Sequence, residues 1–229
     1  MALKYPACVT VAAVAAAEED PCSTLERVYA EPTNWYMFNE DEITRNDTVD
    51  IAKLKRILCD INSDQNISNL DKYGPMTDDT PILLVQVHRD VQRLQFLIFS
   101  LAQVRHIHIT LLIFSHSYYD EKISRLIGGI DFCKVMQIFY PHSLQLHPHK
   151  FPGVDDEDCL PGAAITDCMM RDARVTENKQ LWWWKANFVF KKVQWAKTHR
   201  ALVIFLEENN YVAPDLIHMR SARCYTFHR

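Results

Sequence analysis

Three short stretches carry most of the chemistry that this 229-residue chain can offer: Gln86-Val87-His88-Arg89-Asp90, Ser115-His116-Ser117 and Glu207-Glu208-Asn209-Asn210. Each closes or directly follows an apolar run, where a buried strand would leave its sheet, and open α/β sheets bind ligands beyond the carboxyl ends of their strands. Neither GxGxxG nor GxxxxGK[ST] occurs, so phosphates would be held by side chains or a metal instead of a glycine-rich loop. Adjacent carboxylates such as Glu207 and Glu208 repel each other unless a positive group lies beside them. A divalent cation bridging to a diphosphate is one solution, and a solvated helix start is the plain alternative. His88 and His116 could meet a phosphate or a sugar hydroxyl, or be satisfied structural residues. In Trp182-Trp183-Trp184-Lys185 three consecutive indoles cannot all face one core, which frees one to stack on a base or sugar.

These residues need elements to position them. Ile82 to Val87 is a continuous apolar run and reads as a strand; Val91 to Val104 places Leu94, Leu97, Ile98 and Leu101 on one helical face. Ile107 to Phe114 reads as a second strand. Ser117 to Leu126 follows as a helix opened by Asp120 and Glu121 and closed by Gly128 and Gly129. Val135 to Tyr140 is a third strand, Trp182 to Lys197 a helix, and Ala201 to Leu206 a fourth strand, with a further helix start at Pro214-Asp215. Apolar strands alternating with amphipathic helices predict an α/β fold whose mostly parallel sheet is covered on both faces. Pro141 to Asn178 lacks a sustained period and reads as a long loop. Residues 1–75 read as a stem or packing arm with one helix, Val49 to Cys59, and residues 76–218 as the main domain.

Composition narrows the classes. A 48% hydrophobic, 24% charged chain with 5 Gly and 10 Pro is globular, and a formal net charge of -4 gives no reason to expect a nucleic-acid partner. The 7 Cys form no CxxC pair, and His106 with His108 and His147 with His149 fix no ligand geometry. Asn46-Asp47-Thr48 and Asn66-Ile67-Ser68 are N-glycosylation sequons. The apolar run Ala7 to Ala17 is shorter than the roughly 20 residues of a membrane span and has the length of a signal-peptide core.

Taken in order, VQVHRD (Val85 to Asp90), LLIFSHSYY (Leu111 to Tyr119), QLWWWK (Gln180 to Lys185) and IFLEENNYVAPD (Ile204 to Asp215) resemble the N-acetylglucosaminyltransferase II family, Golgi enzymes of complex N-glycan assembly. The likeness reaches upstream to Ile61–Gly74 and runs through Ile127–Leu146, covering about Val49 to His218. It implies a GT-A type nucleotide-sugar-binding domain, UDP-N-acetylglucosamine as donor, an N-glycan acceptor, Mn2+ as cofactor, and a place on the lumenal side of the Golgi membrane. By resemblance, Gln86, Val87, His88, Arg89 and Asp90 lie on a donor-binding strand end. Ser117 stands where the family has a nucleotide-contacting aspartate. Glu177, Asn178, Lys179, Gln180 and Leu181 form a second donor stretch, in which Lys179 suits a phosphate. Cys159 and Cys168 match a family disulfide.

The departures set the expectations for activity. The family's strand-end Glu-Glu-Asp is here Glu207-Glu208-Asn209, so the metal position falls to Asn209 beside Glu208, and a neutral amide is a weaker ligand for a hard cation. Residues 219–229 do not resemble the family, and its catalytic base lies in a second half, which predicts a shortened chain with no base of its own. Two functions follow as expectations. One is an inverting β-1,2 N-acetylglucosaminyltransferase acting on the α-1,6-arm mannose of N-glycans; the other is a catalytically inactive homologue serving as a weak UDP-sugar-binding or interaction module.

Overall fold

Apolar β-branched and leucine-rich runs decide the centre of the structure. The computed structural model describes residues 51–147, 173–193 and 202–218. In chain order these form α1 (Ile51–Asp64), β1 (Ile67–Ser68), α2 (Leu70–Tyr73), β2 (Ile82–Val87), α3 (Val91–Ala102), β3 (Leu111–His116), α4 (Glu121–Gly128), β4 (Lys134–Phe139), α5 (Ala173–Asn187) and β5 (Val203–Glu207). The sheet order is β1-β4-β3-β2-β5. Strands β2 to β5 are parallel and β1 is antiparallel to β4. Every residue of β2 and β3 is buried, as a sheet covered on both faces requires.

One face carries Leu83, Val85, Val87, Leu112 and Phe114, packed on Leu94, Leu97 and Leu101 of α3 and Ile123 and Ile127 of α4. The other carries Ile82, Leu84, Ile113 and Ile138 against Phe188, Val189 and Val193. Leu54 and Leu58 of α1 close over Phe139 and Leu146. Asn62, also on α1, grips the end of β4: its Nδ2 donates to the Phe139 carbonyl (2.7 Å) and its Oδ1 accepts from the Phe139 N–H (2.8 Å). Residues 51–73 therefore contribute a helix and an edge strand to the main sheet.

The α/β class, the mostly parallel sheet and the exact span of β2 match the expectations; four others are corrected. The strand expected over Ile107 to Phe114 begins at Leu111, because His106 adopts a left-handed φ of 62° and Ile107–Ile109 form a 3-10 turn. Thr110 Oγ1 closes that turn on the Ile107 carbonyl (2.7 Å), so the alternation of His and Ile is a turn pattern, not a pleat. The helix expected from Ser117 starts at Glu121, since Asp120 Oδ1 caps it by accepting from the N–H groups of Lys122 (2.7 Å) and Ile123 (3.1 Å). Helix α5 begins at Ala173, inside the segment expected as a loop to Asn178, and runs through the helix expected from Trp182 into a π-helical turn, Phe188–Lys192, capped by Val193; residues 194–197 lie outside the described residues. The polar run before Leu181 has no apolar stripe, which hid the first turns of α5. Strand β1, two residues long, is too short to carry a period. Residues 216–218 are helical, as Pro214-Asp215 anticipates.

Candidate functional site

The chain runs β2, β3, β4 in one direction across the sheet, then returns past β2 to lay β5 on its other side. The order therefore reverses at β2, which makes the carboxyl ends of β2 and β5 the position favoured for ligands in open α/β sheets. Gln86 is paired with Glu207 across this junction, and Val87 with His116 on the opposite side. Parallel register thus brings all three chemical stretches to one end of the sheet.

Hydrogen bonds knit them together. The Glu208 carboxylate is buried and accepts from the His88 backbone N–H at 2.7 Å. Burial pushes its pKa above the ordinary carboxyl value, opposed by that same N–H. His88 Nε2 lies 2.9 Å from Gln86 Nε2, and His88 Nδ1 lies 3.5 Å from Ser117 Oγ. Ser117 Oγ also donates to the Val87 carbonyl at 3.4 Å. Arg89 stacks its guanidinium over the Tyr118 ring, 4.2 Å from the centroid, an arrangement that holds the cation in place. Asp90 is engaged in starting α3: its Oδ1 accepts from the Arg93 N–H (3.0 Å) and its Oδ2 pairs with Arg93 Nε (2.9 Å).

Helix α5 spans this end of the sheet from β4 to β2. At its start, Glu177 Oε1 accepts from the Leu144 N–H (2.7 Å) and Gln180 Oε1 from the Tyr140 hydroxyl (3.0 Å). Leu181 is buried, and Asn178 and Lys179 are exposed. One turn further on, Lys185 Nζ donates to Gln86 Oε1. The second expected donor stretch, Glu177 to Leu181, thus borders the same row of strand ends through Tyr140 and Leu144, while Gln86, His88, Ser117 and Glu208 form the linked core. Asn66 is exposed at the β1 edge; Asn46, Cys159 and Cys168 lie outside the described residues. Cys59 is disulfide-bonded.

Sequence reasoning missed Lys185 as a site residue. Its side chain is only 1% exposed and its pKa is lowered to about 8 by burial, against the pull of Glu207. A signal existed: a lysine closing an aromatic run on a buried helix face needs a partner, and the uncharged Gln86 on β2 is the one it finds. Trp184 packs on Tyr140 and Phe188 against the core, Trp182 stacks on Phe205 at 5.5 Å yet stays 37% exposed, and Trp183 is half-exposed.

The two residues expected at a metal position face different ways, Glu208 buried and Asn209 exposed. Glu208 turns its carboxylate inward to the backbone of the β2–α3 loop, Asn209 is exposed and neutral, and Asn210 Oδ1 caps the Glu207 N–H at 2.7 Å. Among the described residues no group of three or more His, Cys, Asp or Glu is placed to hold a metal ion. With Glu208 engaged by the loop backbone and Asn209 neutral, this donor set does not fit a hard divalent cation.

Replacing Glu208 by Ala strands a buried N–H, so the variant is expected to lose about 1–3 kcal/mol of stability. Glu208→Gln, which keeps an accepting oxygen, should recover most of it. Urea unfolding of both variants is the check; equal losses would mean the charge matters and the bond does not.

The family model for N-acetylglucosaminyltransferase II (MGAT2) matches residues 55–225. The chain belongs to the N-acetylglucosaminyltransferase II family. Among its relatives, the alpha-1,6-mannosyl-glycoprotein 2-beta-N-acetylglucosaminyltransferases of Sus scrofa and Homo sapiens are each 36% identical over 182 residues, covering 73% of this chain and 41% of the relative. The Arabidopsis thaliana protein of the same name is 30% identical over 173 residues, 68% of this chain and 40% of its own length. The chain thus spans about two fifths of the curated relatives it matches. All three linked strand ends of this N-acetylglucosaminyltransferase II family member lie inside the matched region. No helix among the described residues is long and apolar enough to cross a membrane.

Proposed function

We propose that this chain is the nucleotide-sugar-binding part of a GT-A type N-acetylglucosaminyltransferase II. The supporting observation is the convergence of Gln86, His88, Ser117 and Glu208 at the point where the sheet order reverses, within the family-matched region. The reaction of the reading transfers N-acetylglucosamine from UDP-N-acetylglucosamine to the 2-hydroxyl of the α-1,6-arm mannose of an N-glycan. That hydroxyl attacks the anomeric carbon in line, the bond to UDP breaks, and the configuration inverts. The attacking hydroxyl gives its proton to a general base, for which the described residues offer no candidate. What they supply is orientation: His88 and Ser117 at the strand ends, and Arg89, stacked on Tyr118, for the diphosphate.

Disulfide-bonded Cys59 suits an oxidising compartment, in keeping with a lumenal Golgi setting. Exposed Asn66 in its sequon would be open to glycosylation there. Mn2+ enters this reading only as the family's cofactor, since the inward-turned Glu208 and neutral Asn209 do not favour it.

A second reading, a UDP-sugar-binding module without transferase activity, is favoured by that same commitment of Glu208 to the loop backbone. Calorimetric titration of UDP with and without Mn2+ separates the two. Strengthening of UDP binding by the metal supports the transferase, metal-indifferent binding supports the module, and no binding at millimolar UDP overturns both.

A further inference from the structure

The buried contact between Lys185 and Gln86 has consequences for hydrogen positions several residues away. An ammonium carries three donors and no acceptor, so the Gln86 atom facing Lys185 must be the carbonyl oxygen. The other end of that amide, Nε2, can then only donate. It faces His88 Nε2 at 2.9 Å, which must therefore present a lone pair. A neutral imidazole has one donor and one acceptor nitrogen, and with Nε2 accepting, the proton resides on Nδ1. Nδ1 points at Ser117 Oγ, 3.5 Å away, and the Ser117 hydroxyl in turn directs its own hydrogen to the Val87 carbonyl at 3.4 Å.

We propose that Lys185 is a positioning residue whose ammonium orients this whole chain, Lys185 to Gln86 to His88 to Ser117 to Val87, and so holds His88 as the Nδ1–H tautomer. The alternative orientation is costly. Turning the Gln86 amide would set its NH2 against the ammonium at a place where Lys185 is 1% and Gln86 5% exposed, shielded from bulk solvent that would relieve two opposed donors. The last two contacts are long, at the outer limit of useful hydrogen bonds, so an incoming acceptor can compete for the Nδ1–H. His88 is thereby set to offer a donor to an acceptor oxygen of a nucleoside diphosphate. Only this ligand class rests on the reading of the strand ends as a donor site; the tautomer is a property of the free protein.

The test is 15N NMR of histidine-labelled protein near neutral pH without ligand, which distinguishes the two tautomers by their ring nitrogen shifts. The Nδ1–H form is expected for His88. Lys185→Met, with no donor, should move it toward Nε2–H, and Lys185→Arg, with donors restored, should return it, while His106 and His108 keep their signals in both. An Nε2–H His88 in the parent protein overturns the proposal, as does an unchanged tautomer in a folded Lys185→Met chain. Should that variant not fold, the parent and the Arg variant still decide the matter. Titration with UDP adds a separate arm: a roughly fivefold weaker affinity in Lys185→Met is the loss of about one neutral hydrogen bond. Absence of UDP binding by a parent protein with the expected tautomer counts against the donor-site reading and leaves the orientation of the chain standing.

Discussion

Acidification from about pH 7.5 to about pH 5 is expected to destabilise the folded chain by about 2 kcal/mol through His116 alone. This ring is fully buried, stacked on Phe139 with centroids 4.4 Å apart, and its nitrogens make no well-formed hydrogen bond, Gln137 being a polar neighbour in poor geometry. Burial pushes its pKa down from 6.5 to about 3, and Gln137 beside it offsets this only in part. A depressed histidine pKa means that the unfolded chain binds the proton first. Stability is therefore fully present above the unfolded pKa near 6.5 and falls as pH drops toward the folded value, at about 1.4 kcal/mol per pH unit between them. His116→Phe keeps the stack, removes two unsatisfied nitrogens, and should raise stability at neutral pH by about 1–3 kcal/mol. Urea unfolding across the pH range compares the two, and because the other titrating groups are shared, the difference isolates His116. Parallel stability curves for the two proteins would refute the assignment.

Removal of the Asn62 side chain is expected to cost about 3 kcal/mol, because two buried backbone groups of Phe139 lose their partners at once. The bonds at 2.7 and 2.8 Å tie α1 to the last residue of β4. Asn62→Asp is the sharper variant. Its carboxylate still accepts from the Phe139 N–H, yet it sets a second acceptor against the Phe139 carbonyl, so it should be no more stable than Asn62→Ala near neutral pH. Denaturant midpoints of the pair check this; an Asp variant equal to the parent would show that only the accepting half of the grip matters.

The continuous runs were the legible part of the fold. Ile82 to Val87 has no polar residue before Gln86, so periodicity and length agree on a buried strand. The α/β class followed from several such runs with helices between them. Boundaries failed where a side chain, not a period, decides them, as with the Asp120 cap and the left-handed His106. The strand-end stretches were legible as neighbours because parallel topology gathers carboxyl ends at one edge. What each residue does there was not. Sequence order cannot tell that Glu208 turns inward to His88, that Asp90 caps a helix, or that Lys185 reaches Gln86 from 99 residues away. Those roles depend on which side chain wins a shared partner in three dimensions.

The sheet order also dictates a sequence of events during folding. Strands β2, β3 and β4 are linked by connections of about twenty residues, whereas β5 must return over a connection about three times as long to reach β2, and closure of longer loops costs more entropy and tends to come later. Glu208 arrives with β5. A folding intermediate holding only the earlier strands would already possess Gln86, His88 and Ser117 but would have its β2–α3 loop unfastened. On the proposed donor-site reading, competence to bind UDP should therefore appear only in the last phase of refolding, so the site itself would report that the chain has finished folding.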